Sequence, residues 1–301
     1  MTTDWPRDEA PIEGAEWIDE GVNPAEEAEV LPAPSPRFVG MASVLSQTET
    51  QVDHFTVRIA APEIARACRP GQFLHLLTGE TLDPLLRRPI SISRANPAEG
   101  WVEFIYRVVG VGTHLLAEMA PGALLSTMGP LGTPFTLAPD AGRHVLVGGG
   151  VGIPPMLFLA ETLLQTRKPE DITVLLGGRT ADFLLCQEDF AALGLPPRVI
   201  TDDGSAGRKG LVTDLLHDTL RDAGEATVYA CGPVPMLRAV ARVSEEHGRP
   251  CQVAFEARMA CGVGACLSCV IPTTTGYQRV CTEGPAFPAE SVIWTAELNL
   301  H

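Results

Sequence analysis

The chain lacks an apolar run long enough to span a bilayer. Its most apolar uncharged stretch, His144 to Ala160, is broken by Gly148–Gly150, Gly152 and Pro154–Pro155, short of the roughly 20 residues a spanning helix needs. No basic segment followed by an apolar one opens the sequence, so no secretory signal is read. Positive charge is scarce too: 22 Lys and Arg against 37 Asp and Glu give a net charge of −15. That balance argues against nucleic acid or an anionic membrane as partner, since both require a basic face. No internal repeat is found, and the seven histidines are scattered without metal-ligand pairing. These absences lead to a cytoplasmic protein with neither nucleic acid nor membrane as partner.

At 301 residues with 45% hydrophobic content, the chain is large enough for two or three domains. Its acidity is uneven. Residues 1–37 hold ten acids against Arg7 and Arg37, together with six prolines, a composition too poor in apolar surface to offset the cost of ordering. They read as a disordered acidic tail; the alternative is a docking arm anchored by Trp5 and Trp17.

Four cysteines stand within a short C-terminal stretch as Cys261-x4-Cys266-x2-Cys269-x11-Cys281. The C-x4-C-x2-C core is the ligand run of plant-type ferredoxins, where thiolates hold a [2Fe-2S] cluster. Gly262, Gly264 and Ala265 would let backbone N–H groups approach cluster sulfurs without side-chain obstruction. The competing readings are a four-thiolate zinc site, which usually shows paired C-x2-C units, and disulfides. The remaining cysteines, Cys68, Cys186, Cys231 and Cys251, are scattered and would stay reduced.

Upstream, two rhythms follow one another. From Phe38 to about residue 140, short β-rich stretches separated by turn residues, with His54 to Ile59 alternating strongly, predict a six-stranded antiparallel barrel interrupted by one helix, Thr113 to Met119. From about 141 to 250, strands alternate with helical stretches in the βαβ pattern of a Rossmann-like parallel sheet. Residues 251–301 form a small cluster subdomain. The fold class expected is therefore α+β and multidomain.

In the barrel, Leu86 to Ser93 sets two guanidinium groups beside a strand carrying Ser91 and Ser93. Arg88 can fork onto a pyrophosphate, Ser91 can bond a flavin edge, and Pro89 and Ile90 offer backbone and apolar contact. A surface strand with solvated arginines is the plainer alternative. Ile105, Tyr106 and Arg107 add an aromatic and a cation, and Gly110-Val-Gly112-Thr113 opens a helix whose N–H groups attract phosphate. Farther on, the loop Gly148 to Pro155 joins an apolar strand to an apolar helix, so Gly149, Gly150 and Gly152 permit close approach of a dinucleotide. Cys231 and Gly232, in Tyr229-Ala-Cys-Gly-Pro233, end another strand at the ligand-binding edge; Cys231 is alternatively an inert buried thiol. Arg179 could meet an NADP 2′-phosphate, while Asp182, Asp202 or Asp203 could meet NAD ribose hydroxyls, so the choice stays open.

Taken in order, these pieces resemble the ferredoxin-NADP reductase superfamily. More narrowly, Arg87 to Ile92, Thr201 to Ser205, Lys209 to Thr213 and Met259 to Cys269 resemble the electron-transfer subunits of class 1B (NAD-dependent) dihydroorotate dehydrogenase, over residues 38 to about 295. The resemblance implies FAD, one [2Fe-2S] cluster and NAD as substrate. It also implies an FMN-containing catalytic partner that oxidises dihydroorotate in pyrimidine biosynthesis, in a heterotetramer of two of each subunit. By motif, FAD would meet Arg88, Pro89, Ile90, Ser91, Ile105, Tyr106, Arg107, Gly112 and Thr113, and Cys261, Cys266, Cys269 and Cys281 would hold the cluster. Ile90 stands where many superfamily members carry Tyr, and the acidic tail lies outside the family pattern. Two rival functions keep the modules: a diaphorase subunit of an NAD(P)-linked sulfide dehydrogenase, transhydrogenase or hydrogenase, and a flavin redox sensor without turnover.

Overall fold

The computed structural model describes residues 36–79, 83–137, 142–295 and 298. All of the acidic segment except Pro36 and Arg37, and the boundary expected at 140/141, lie outside the described residues.

Six strands close a barrel in the order β1-β2-β5-β4-β3-β6: β1 (Phe38–Gln51), β2 (His54–Ala60), β3 (Phe73–Leu77), β4 (Arg88–Asn96), β5 (Trp101–Arg107) and β6 (Leu124–Leu131). All of its pairings are antiparallel, as the alternating stretches predict. Val44, Val57, Ile59, Leu74, Leu76, Ile92, Phe104 and Leu125 fill the interior. The expected helix is α2 (Val111–Ala117); an additional one, α1 (Pro62–Ala67), precedes β3. Pro62 in its first turn and Glu63 beside it are helix-start signals, yet six residues carry too little apolar period to be read as a helix.

Beyond the barrel a seven-stranded sheet has the order β10-β9-β8-β7-β11-β12-β15. Its strands are β7 (Arg143–Gly149), β8 (Ile172–Gly178), β9 (Arg198–Thr201), β10 (Arg208–Lys209), β11 (Ala226–Cys231), β12 (Cys251–Ala254) and β15 (Ala286–Pro288). Helices α3 (Ile153–Leu163), α4 (Gln187–Ala192), α5 (Val212–Arg221) and α6 (Val234–Glu246) connect them. Only the last pairing, β12 with β15, is antiparallel. The chain order reverses between β7 and β11, the switch point at which doubly wound sheets bind ligands.

The sheet does not stop at the expected 250/251 division. The cysteine run is instead an insertion between β12 and β15, folded around a hairpin of β13 (Val270–Thr273) and β14 (Gly276–Arg279). One apolar core joins all three regions: Phe73, Met128 and Leu131 of the barrel pack with Val253, Phe255, Met259, Ile271, Val280 and Phe287. Arg94 on β4 ties the barrel to the sheet's helices, meeting Glu161 of α3 at 2.6 Å and Asp189 of α4 at 2.9 Å. Burial pushes the Glu161 carboxyl up, against the pull of Arg94. Among the described residues no helix is long and apolar enough to cross a membrane.

Candidate functional site

The hairpin explains the longest spacing in the cysteine run. Val270 pairs with Arg279 and Thr273 with Gly276, so the strands return the chain to its start and bring Cys281 beside Cys269. The shorter spacings are met by left-handed backbone at Gly262 (φ +69°), Gly264 (φ +85°) and Leu267 (φ +57°), tight reversals that glycine makes at little cost. The backbone N–H of Val263 donates to Cys261 Sγ at 3.4 Å, and Cys266 Sγ lies 3.2 Å from Ser268 Oγ.

Two of these thiols differ from the scattered cysteines. The hydroxyl and backbone of Ser268, with Cys261, bring Cys266 down to about 6, and a hydrogen bond with Cys281 brings Cys269 down to about 6 while the Cys281 thiol is pushed up. Burial instead raises Cys68, Cys231 and Cys251 to about 12 and Cys186 still further. Only thiolates bind metal, so Cys266 and Cys269 stand apart from the buried, scattered cysteines. Among the described residues no three His, Cys, Asp or Glu side chains converge on one point. Cys266 hydrogen-bonds with Cys261 and Cys269 with Cys281, and the C-x4-C-x2-C spacing is that of a two-iron cluster held by four thiolates, so the residues fit the cluster.

Arg279 fastens this loop. Its guanidinium donates to the carbonyl of Gly264 at 3.0 Å and, through Nε and Nη2, to both carboxylate oxygens of Glu283. A side chain at Gly264 would meet Arg279 Nη1 at 3.0 Å. The Glu283 carboxyl, which also accepts from Thr282, is held at about 2 despite partial burial. Sequence reasoning did not single out either residue, although Arg279 lies inside the run and Glu283 just past it.

In the barrel, the structure brings Arg88 onto Gly112: a Cβ there would come within 2.0 Å of Arg88 Nε. The cation of β4 and the start of α2 are therefore one surface. Thr113 caps that helix, its hydroxyl accepting from the N–H groups of Val109 and Gly110. Pro89 pairs with His75 and Ser91 with Phe73 across β3 and β4, while Ile90 packs toward the barrel core. Arg87 serves the scaffold, donating to the carbonyls of His75 and Ser126 and to Ser126 Oγ. Tyr106 stands apart: its ring is buried in the barrel against Phe55, centroids 5.7 Å apart, and its hydroxyl has no partner among the described residues. Ile105 packs with Ile153 of the sheet's core, and Arg107 lies over the Phe183 ring at 5.0 Å.

At the switch point, the glycine loop after β7 meets the loop after β11. A Cβ on Gly152 would lie 2.4 Å from the carbonyl of Cys231, and one on Gly149 or Gly232 would strike Met236. Gly150, at φ +55°, has open space around it. Gly149, Gly150, Gly152, Cys231 and Gly232 thus form one cradle, although sequence spacing separates its halves by about 80 residues. Ser205 knits the neighbouring loops, donating to Asp203 and accepting from the N–H of Ala181.

Comparison with known proteins agrees with this geometry. A family model described as the iron-sulfur cluster binding domain of dihydroorotate dehydrogenase B matches residues 256–293, and an oxidoreductase NAD-binding domain matches residues 146–242. The dihydroorotate dehydrogenase B (NAD(+)) electron transfer subunit of Desulforamulus reducens is 39% identical over 257 residues, 84% of this chain and 97% of that one. The protein of the same name from Bacillus caldolyticus is 44% identical over 230 residues, covering 75% of this chain and 87% of its own. Among solved structures, an NADH-dependent reduced ferredoxin-NADP oxidoreductase described in terms of flavin-based electron bifurcation superposes with a TM-score of 0.75 at 30% identity, covering 85% of this chain and 90% of that one.

Proposed function

The chain belongs to the electron transfer subunits of dihydroorotate dehydrogenase B, and from that membership we propose how its residues divide the work. It is an oxidoreductase subunit that passes electrons from an FMN-containing catalytic partner to NAD+. When bound, the [2Fe-2S] cluster carries electrons singly, and FAD exchanges single electrons on one side and a hydride with nicotinamide on the other.

Cys261, Cys266, Cys269 and Cys281 hold the cluster, the lowered thiols of Cys266 and Cys269 supplying thiolate at neutral pH. Arg88, with the start of α2 at Gly112 and Thr113, cradles the FAD pyrophosphate. Pro89, Ile90 and Ser91 border the flavin; Ile105, Tyr106 and Arg107 contribute from β5, Tyr106 by its backbone because its ring is committed to the barrel. Gly149, Gly150, Gly152, Cys231 and Gly232 admit the nicotinamide nucleotide, their glycines leaving room for backbone approach. We also infer a cytoplasmic location and a heterotetramer of two of each subunit. The domain limits that follow are a barrel over 38–140 and a sheet region over 141–250 that is completed by β12 and β15 of the cluster segment.

The observation that carries this reading is the Cys261–Cys281 loop, where left-handed backbone and the β13–β14 hairpin bring the four thiols together in pairs, set in a chain with a second cradle at the sheet's switch point. Coexpression with the dihydroorotate-oxidising subunit tests it. The expected product is a coloured complex with about two irons and one FAD per copy of this chain that forms orotate with NAD+; zinc without iron contradicts it. The similarity to the bifurcating oxidoreductase favours one second reading, a diaphorase subunit of such a complex. That reading predicts copurification with a different partner and no dihydroorotate-dependent NAD+ reduction.

A further inference from the structure

His75 lies where the barrel meets the cluster loop, and nothing in the motifs points to it. It is fully buried, and neither ring nitrogen has a partner among the described residues. Burying a hydrogen-bonding group without a partner costs about 1–3 kcal/mol, so such a ring needs a reason. His144 is also buried with both nitrogens unpaired among the described residues, but it stacks on Tyr229 of β11; position beside the cluster loop, rather than lack of partners, distinguishes His75.

Strand alternation sets that position. Leu74 and Leu76 point into the barrel, while Phe73 belongs to the core shared with Cys269 and Cys281. His75 shares the face of Phe73, and its ring abuts the cluster loop: a Cβ on Gly262 would lie 2.5 Å from His75 Nδ1. Gly262 follows Cys261 directly and has left-handed backbone at φ +69°, so its missing side chain opens the gap the imidazole occupies. On the other side, His75 pairs across the sheet with Pro89, two residues before Ser91. A histidine ring carries at least one N–H in either protonation state, and burial, followed by the charge of Arg87, lowers the proton affinity of this one.

We propose that the His75 imidazole donates a hydrogen bond to a sulfur of the iron-sulfur cluster held by the Cys261–Cys281 loop, and thereby tunes the cluster's reduction potential from the strand beside the flavin site. This rests on the cluster assignment above. A donor to cluster sulfur stabilises the more negative, reduced form, so it raises the potential.

The test is a redox titration followed by electron paramagnetic resonance on the full chain assembled with its catalytic partner. With His75→Leu the reduction equilibrium becomes about tenfold less favourable, which is 59 mV lower for one electron. His75→Gln, which keeps an N–H, stays closer to the unsubstituted protein than His75→Leu does. An unchanged cluster potential in a cluster-bearing His75→Leu protein overturns the proposal, as does a shift confined to FAD. A measurement without substitution guards against loss of the cluster: in protein labelled with 15N-histidine, the reduced cluster shows a weakly coupled imidazole nitrogen by pulsed resonance, and absence of that coupling overturns the proposal. A wild-type protein with no [2Fe-2S] signal at all instead refutes the cluster assignment itself, a separate outcome.

Discussion

Gly152 shows how narrowly single residues fix this molecule. Its α-carbon faces the Cys231 carbonyl so closely that a methyl group would sit 2.4 Å from backbone atoms that belong to another strand's end. Gly152→Ala therefore pushes two loops apart, at a cost of about 1–3 kcal/mol. A lower denaturant midpoint accompanied by a raised KM for NADH is the expected outcome, and an unchanged KM would detach the nicotinamide site from this contact. His144 makes a second prediction. Burial, then the charge of Arg167, lowers its proton affinity, while Asp171 partly opposes them. A histidine whose folded pKa is depressed leaves the unfolded chain binding more protons below the ordinary value, so its contribution is complete above about pH 6.5 and is lost as pH falls from there. Urea midpoints measured at pH 7.5 and pH 5.5 differ less in His144→Phe than in the unsubstituted protein.

Among the elements, α3 carries two duties at once. Its start follows the glycine loop at the switch point, and Glu161 near its end is tied to Arg94 of the barrel. Arg94 is 20% and Glu161 27% exposed, enough shielding for the loss of one partner to leave a poorly solvated charge behind. Arg94→Ala is expected to cost about 2 kcal/mol, read as a fall in melting temperature, whereas Arg94→Ala combined with Glu161→Gln recovers part of the loss. The strand and helix rhythm of both halves was legible in the sequence because alternation and βαβ spacing are local properties. Helix α1 was not, since its start signals at Pro62 and Glu63 lead into only six residues. The cysteine ligand run and the glycine loop could be read from spacing alone. His75 could not, because its meaning depends on strand pairing with Pro89 and on contact with Gly262, far along the chain. The place of β12 and β15 in the sheet was not legible for the same reason: they join it through pairings that no local pattern announces.

At the scale of the whole molecule, two cofactor regions share one apolar core. Phe73 of the barrel and Cys269 and Cys281 of the cluster loop belong to the same buried cluster, and Thr133 after β6 donates to the carbonyl of Thr282 at 2.8 Å. That continuity ties β3 and β6 of the barrel to the cysteine loop, as electron transfer in series between the two proposed sites requires. It also predicts that the two functions can be separated by chemistry without being separated by folding. Cys266 is exposed and outside the core, so Cys266→Ser, which removes a proposed cluster ligand, is expected to leave the barrel and sheet intact. The decisive measurement is anaerobic NAD+ reduction driven by dihydroorotate in the reconstituted complex, made beside NADH-driven reduction of a dye by the same preparation. The account predicts that Cys266→Ser abolishes the first and retains the second; dihydroorotate-driven NAD+ reduction persisting at the unsubstituted rate in the cluster-free protein would contradict it.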